Sequence, residues 1–124
     1  MANEITIHCS MRFAKGGVEV NSNNGSFYSD VAGNDASVLT QAMTTSYVAL
    51  DKGNLTIPGW TKFRNLSATE AEIIRIKGAT GDTNPVLMLG AGEECLIKFD
   101  TSATAPVAKS DSGAPLLMYE MIEA

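Results

Sequence analysis

Apolar and polar residues alternate along much of this chain, a pattern that predicts β-strands. The first segment shows it most clearly, with apolar side chains at every second position: Ile5, Ile7, Cys9, Met11 and Phe13. Polar residues stand between them. A period of two places one face of this strand in a core and turns the other face toward water or a partner.

Turn signals predict how this strand is connected. Gly16-Gly17 ends it, and Val18 and Val20 continue the alternation briefly. Asn23-Asn24-Gly25 contains the Asn-Gly pair that is typical of a tight hairpin turn. The sequence therefore predicts a hairpin at Gly25, with a return strand over residues 27–31.

The remaining segments are short and strand-like. Residues 37–50 match helical spacing loosely, but their threonine, tyrosine and valine content favours a strand, bent near Thr44-Thr45. Pro58-Gly59 predicts a turn, because proline presets φ at the first corner and glycine tolerates positive φ at the second. Further strands are predicted at 60–66, 73–76, 86–89, 94–99 and 116–122, with a long surface connection over 101–115 that holds a small strand at 107–108.

About eight or nine short strands with closely spaced turns indicate an all-β fold, a single-domain antiparallel β-sandwich or jelly-roll-like domain over residues 1–124. A βαβ architecture would need helical crossovers of a dozen or more residues, and the sequence offers none. The last strand is apolar on both faces, so we expect it to be covered by a second sheet and by another subunit. That makes Met118, Tyr119 and Met121 candidate subunit contacts, with burial inside the same chain as the alternative.

Composition narrows the function classes. A chain of 124 residues has room for one core, and 44% hydrophobic with 19% charged residues fits a globular protein. The net charge of −5 repels phosphate backbones, so we expect no nucleic-acid partner. The first residues lack a basic stretch followed by an apolar one, and no apolar run reaches membrane-spanning length. We therefore expect no signal peptide, no transmembrane segment and no membrane partner.

Residues that carry catalytic or metal chemistry are sparse. His8 is the single histidine, on the polar face of the first strand, and no phosphate-binding glycine motif is present. Cys9 and Cys95 both fall on apolar strand faces and are expected to be buried thiols. Whether they form a disulfide stays open, because sequence does not give the distance between them. The sequence thus predicts a protein without catalytic residues, cofactor or metal.

One stretch carries a resemblance. Residues 50–69 contain Leu-Asp-x-Gly, then Pro-Gly-Trp-x-x-x-Arg-Asn-Leu-x-Ala-Thr, which resembles a recurring pattern in small all-β structural proteins of tailed bacteriophages. Weaker similarity covers the first strand, Leu89-Gly-Ala-Gly-Glu93 and the last strand. The pattern is not catalytic and transfers no active-site residue. It implies a virion component, assembled in the host cytoplasm, whose partners are the major capsid protein or other virion proteins.

Within that class, the size of the chain suits an accessory subunit. We expect a capsid decoration (cement) protein, a homo-oligomer with the trimer favoured, whose many copies bind a phage head together. Trp60, Lys62 and Arg64 share a strand face of mixed polarity that could meet an acidic capsid surface, and Trp60 is a candidate aromatic anchor.

Two rival functions stay open. A host-surface or glycan-binding module at a tail or fibre tip needs exposed aromatic rings beside polar loops, for which Trp60, Tyr28 and Tyr47 are the candidates. A small jelly-roll enzyme is disfavoured by the single histidine. Glycan binding and metal analysis would separate these from a decoration protein.

Overall fold

The computed structural model describes residues 4–100 and 105–124, and within them it has ten strands and no helix. The strands are β1 (Ile5–Lys15), β2 (Val18–Ser29), β3 (Ala36–Ala42), β4 (Val48–Ala49), β5 (Pro58–Asn65), β6 (Ile74–Lys77), β7 (Leu87–Leu89), β8 (Glu94–Lys98), β9 (Val107–Ser110) and β10 (Leu116–Glu123). The all-β prediction is confirmed. The first part of the predicted connection over 101–115 lies outside the described residues.

The strands belong to two compact units. The first, Met1–Ala32, contains β1 and β2 and is called the hairpin unit. The second, Gly33–Ala124, contains β3 to β10 and is called the sandwich unit. One sandwich was predicted over residues 1–124, whereas the structure builds its sandwich from the second unit and a two-stranded ribbon from the first.

The hairpin turns at Gly16-Gly17 and not at Asn24-Gly25 as predicted. Lys15 pairs with Val18, and both glycines have positive φ (59° and 81°), as a two-residue type I′ turn requires. The Asn-Gly pair lies inside β2, where the register shifts: one residue of β1, Cys9, faces two residues of β2. Gly25 has φ of 78°, so the signal read as a turn is a β-bulge.

The apolar face of β1 is exposed over most of its length, which corrects the prediction of a core-facing strand. Ile7 is buried, but Cys9, Met11 (63% exposed) and Phe13 (46% exposed) are not. The physical reason is that β1 pairs only with β2, in a sheet of two strands. The alternation was interpreted correctly, but it does not show whether an apolar face is covered.

The sandwich unit consists of two four-stranded antiparallel sheets. The front sheet has the order β3-β10-β5-β8 and the rear sheet the order β4-β9-β6-β7. The pairing is nested: β6 pairs with β7, β5 with β8, β4 with β9 and β3 with β10. Such nesting arises when one long hairpin is wrapped around a core, and lateral pairs β5–β10 and β6–β9 close it into two layers.

One hydrophobic core joins the two sheets. Phe63 of β5 and Tyr119 of β10 come from the front sheet, and Ile74 and Ile76 of β6 come from the rear sheet. All four are fully buried. Phe63 meets the ring of Phe99 edge-on, with centroids 6.1 Å apart. Shared burial between two antiparallel sheets is the arrangement of a β-sandwich.

The predicted turn at Pro58-Gly59 is wrong. Both residues are buried, and they begin β5 instead of preceding it. Gly59 has no positive φ; its role is close approach, because a Cβ there would lie 2.9 Å from the Cα of Ala124. The neighbouring Leu-Asp-x-Gly is a turn, in which the Asp51 carboxylate accepts from the N–H of Gly53 at 2.8 Å.

Candidate functional site

The outer face of the front sheet brings four of the six predicted contact residues together. Trp60, Lys62 and Arg64 alternate along β5 with inward-facing residues, so they lie on one side of the sheet. Arg64 pairs with Met118 of the neighbouring β10. The expected shared face is confirmed, and Met118 belongs to it. This surface, completed by residues of β3 and β8, is called the front face below.

Side chains of all four strands contribute to the front face. One row across the sheet runs Val38, Glu120, Lys62 and Leu96, and the next runs Thr40, Met118, Arg64 and Glu94. Val38, Leu96 and Leu116 are large apolar side chains that are exposed here. None of these three is among the predicted contact residues. For Leu96 the alternation does indicate an outward position, because its neighbours Cys95 and Ile97 are predicted to face inward.

The front face is locally cationic on an acidic protein. Three cations, Lys62, Arg64 and Lys98, stand among two anions, Glu94 and Glu120, in a chain whose net charge is −5. Lys62 Nζ lies 3.5 Å from the Glu94 carboxylate, an exposed pair that contributes little to stability. Arg64 is exposed and makes no ion pair within residues 4–100 and 105–124. Its charge is available to a partner.

The cations of the rear sheet have partners within the chain. Arg75 donates to both carboxylate oxygens of Asp111, at 2.9 and 3.0 Å, and this hydrogen bonding lowers the pKa of Asp111. The ammonium groups of Lys77 and Lys109 lie 4.1 and 5.2 Å from the centre of the Tyr47 ring. These cations are engaged within the chain, so the front face is the better candidate for docking.

Tyr119 and Met121 face the core of the chain. Both were candidate subunit contacts, but alternation along β10 turns them inward and both are fully buried in the core. The Tyr119 hydroxyl donates to the carbonyl of Asp51 at 2.7 Å and lies 3.1 Å from Gln41 Oε1. Gln41 also accepts from the N–H of Asp51 at 3.1 Å. Burial inside the chain, the stated alternative, is therefore the outcome.

This buried phenol makes stability depend on pH. Burial raises the pKa of Tyr119 to about 12, above its ordinary value of 10. The unfolded chain therefore loses this proton first as pH rises. We expect the free energy of unfolding to hold below pH 10 and to fall by about 2 kcal/mol by pH 12 from this group alone.

The prediction is tested by urea unfolding of the wild type and of Tyr119→Phe between pH 8 and 12. Near pH 8 the variant should be about 1 kcal/mol less stable, because it lacks the hydroxyl hydrogen bond. That deficit should vanish as pH rises. A deficit that stays constant up to pH 12 would contradict the assignment, and Tyr28→Phe, at an exposed tyrosine, is the control.

The residues considered for chemistry are spread apart. His8 lies on the polar face of the ribbon, opposite Ser26. Cys9 is exposed, which corrects its predicted burial, whereas Cys95 packs against the core; both are free thiols. Burial raises the pKa of Cys95. Among the residues that the structure describes, no group of three or more His, Cys, Asp or Glu side chains could hold a metal ion.

Comparison of the chain with known proteins identifies no relative. No protein-family model, curated protein or solved structure matches the chain significantly. In the described part of the chain, no helix has the length and apolar character that would let it cross a membrane.

Proposed function

We propose that this chain is a non-enzymatic structural protein of a phage virion, a capsid decoration (cement) protein that binds the outer surface of the head. The observation that carries the proposal is the front face, a sheet surface with exposed apolar side chains and with Arg64, which makes no ion pair among the described residues. The resemblance of residues 50–69 to phage structural proteins supplies the class. The partner is the major capsid protein, and the protein acts as a homo-oligomer, with a trimer favoured.

The strand order supports the proposal. Eight strands paired in nested order, with four in each sheet, match the plan of a jelly roll. We propose that the sandwich unit is one. Jelly rolls occur in viral capsid and lectin domains, so the fold agrees with either a shell component or a sugar-binding module. Because fold alone does not determine function, the choice between them rests on the surface.

The surface favours docking to protein over binding of glycans. A sugar ring needs an open aromatic face to stack on. Two lysines lie over the Tyr47 ring, and Lys98 Nζ lies 5.7 Å from the centre of the Trp60 ring. Of the three aromatic candidates, Tyr28 alone lacks such a cation among the described residues, and it is exposed. The glycan-binding alternative therefore has little support from the rings it would use.

The chemistry of the front face indicates an acidic partner surface with apolar patches. Arg64 lies next to Met118, and Leu96 and Val38 lie at the two ends of the adjacent row. Cations between apolar side chains suit a carboxylate-bearing protein surface, which they attract and orient. Each contact is modest, and many copies on one shell convert modest contacts into firm attachment.

Reversing one charge tests this docking mode. We expect Arg64→Glu to weaken co-sedimentation with heads of the parent phage that lack this protein by at least about tenfold. Lys109→Glu is the matched control, because it makes the same change in net charge on the rear sheet. Equal binding by both variants would reject the front face. A wild-type protein that ignores capsids would reject the decoration function itself.

A further inference from the structure

The Asn24-Gly25 pair in the hairpin unit carries chemistry of its own. An asparagine that precedes glycine is especially prone to lose its side-chain amide, because glycine has no side chain to hinder attack by its backbone nitrogen. A regular strand suppresses this reaction, since the ladder fixes the backbone and holds ladder-facing N–H groups in hydrogen bonds. The surroundings of the pair therefore decide whether it reacts.

The bulge takes this pair out of the regular ladder. Residue-by-residue pairing with β1 runs as far as Asn23 and resumes at Ser26, so the register skips Asn24 and Gly25. The N–H of Gly25 donates to the side-chain Oδ1 of Asn23 at 3.3 Å. Water readily replaces an exposed hydrogen bond of this length. It offers the Gly25 nitrogen little protection.

Space and solvent are available at the bulge. Gly25 has φ of 78°, and a Cβ there would meet nothing within 4 Å, so no other part of the chain packs against it. Asn24 and Gly25 are both exposed, and they belong to the lining of a hollow of about 320 Å³. That volume gives the Asn24 side chain room to rotate toward the Gly25 nitrogen, and it admits water.

We propose that Asn24 is a site of spontaneous deamidation in the folded protein. The backbone nitrogen of Gly25 attacks Cγ of Asn24, the Cγ–Nδ2 bond breaks, and a succinimide ring forms. The proton of the Gly25 N–H passes through solvent to the leaving nitrogen, which departs as ammonia. Water then opens the ring: cleavage at Cγ gives aspartate, and cleavage at the main-chain carbonyl gives isoaspartate. Water is the co-reactant, and no electron is transferred.

Asparagines of the sandwich unit lack these conditions. Asn65 precedes Leu66, whose side chain hinders attack and whose N–H donates to the carbonyl of Leu116 at 2.9 Å. Asn54 likewise precedes a leucine with a hydrogen-bonded N–H. Asn84 precedes a proline, which has no N–H. Modification should therefore concentrate at Asn24.

The product differs from the starting chain in charge and in backbone. One additional carboxylate takes the net charge from −5 to −6. Isoaspartate also inserts a methylene into the backbone of β2, opposite Cys9. The bulge already accommodates an extra residue, so we expect the strands on either side of it to stay paired. The reaction needs no partner and is independent of the proposed capsid function.

A second Asn-Gly pair in the same strand isolates the role of the bulge. Ser22→Gly gives Asn21 a glycine neighbour within the regular ladder. Lys15 and Val18 close the hairpin as a hydrogen-bonded pair, and alternation along the ribbon makes the pair of Met11 and residue 22 hydrogen-bonded too. The nitrogen that would attack Asn21 is therefore held by β1, and the two sites differ in the ladder and not in sequence.

Peptide mapping of this variant by mass spectrometry measures both sites in one molecule. In the native state we expect deamidation at Asn24 to be at least about tenfold faster than at Asn21. In urea, where the ladder is absent, the two rates should agree within about threefold. Labelling by isoaspartate methyltransferase identifies the product, and ion exchange resolves the more acidic form. Asn24→Gln, which would have to close a larger ring, should remove that form.

Equal rates at the two sites in the native variant overturn the inference. The wild type provides a second measurement, which does not require Ser22→Gly to keep the ribbon paired. Its rate at Asn24 in the native state should stay within about tenfold of its rate in urea. A greater slowing on folding would show that the bulge protects Asn24 as a regular ladder does, and the proposal would be wrong.

Discussion

Replacing Asn65 by alanine should cost the sandwich unit about 3 to 4 kcal/mol of unfolding free energy. Asn65 is fully buried at the end of β5. Its Nδ2 donates to the carbonyls of Glu72 and Leu89, at 2.8 and 3.1 Å, and its Oδ1 accepts from the N–H of Ser67 at 3.0 Å. Alanine leaves three backbone groups without this partner, and a buried polar group without a hydrogen bond costs about 1 to 3 kcal/mol.

Urea unfolding followed by Trp60 fluorescence measures the loss. Small domains have total stabilities of about 5 to 15 kcal/mol, so the variant should unfold at a clearly lower urea concentration. Asn65→Asp separates hydrogen bonding from volume, because it fills the same space yet cannot donate to the two carbonyls. We expect it to be destabilised as well. Arg64→Ala, at the exposed neighbour, should stay within about 0.5 kcal/mol of the wild type.

An effect below about 1 kcal/mol for both Asn65 variants would show that these hydrogen bonds are easily replaced by water. A loss of about 3 to 4 kcal/mol would instead show that Asn65 is needed for the stability of the fold. Asp51 and Asn65 both satisfy turns with their side chains, and Gly53 adopts positive φ (58°). Most of residues 50–69 therefore support the fold, and Trp60, Lys62 and Arg64 are the members that reach the front face.

Strand content could be predicted because alternation is local. Residues 94–99 illustrate this: Cys95 and Ile97 were expected to face inward, and both pack against the core. The strand character predicted over 37–50 is present, but in two strands, β3 and β4, which belong to different sheets, and not in one bent strand. Period two follows from the pleat alone, so no knowledge of distant residues was needed.

Turn positions were harder to predict than strands, because the first third of the chain contains two sequence signals for a hairpin turn. Gly16-Gly17 and Asn24-Gly25 both suit a tight hairpin turn. The first allows eleven residues of β1 to pair with twelve of β2, whereas the second would leave much of β1 unpaired. Pairing along the whole ribbon decided between them, and local sequence cannot measure that gain.

Only the part of the candidate site that lies on β5 could be predicted, because the rest depends on pairing between distant strands. Spacing placed Trp60, Lys62 and Arg64 on one face, but it could not tell which side of the two-faced β10 is outward. Register decides: Met118 pairs with Arg64 on the front face, whereas Tyr119 pairs with Phe63 and joins the core. Pairing between strands far apart in sequence is not visible in either strand alone.

Gly59→Ala should destabilise the sandwich unit by about 3 kcal/mol. A Cβ at this position would lie 2.9 Å from the Cα of Ala124 and 3.1 Å from both the nitrogen of Ala124 and the carbonyl oxygen of Ile122. All three are backbone atoms, so no side chain can rotate away. Ala124 is also held on both sides, because its N–H donates to Ile57 and its carbonyl accepts from Gly33.

Relief of this clash requires β5 and β10 to separate, and these strands form the centre of the front sheet. Gly81→Ala is the matched control: its Cβ would meet nothing within 4 Å and its φ is not positive, so its stability should change by less than about 0.5 kcal/mol. Equal stability of the two variants in urea would mean that the end of β10 moves freely, and the close packing against Gly59 would then have no part in holding the sheet together.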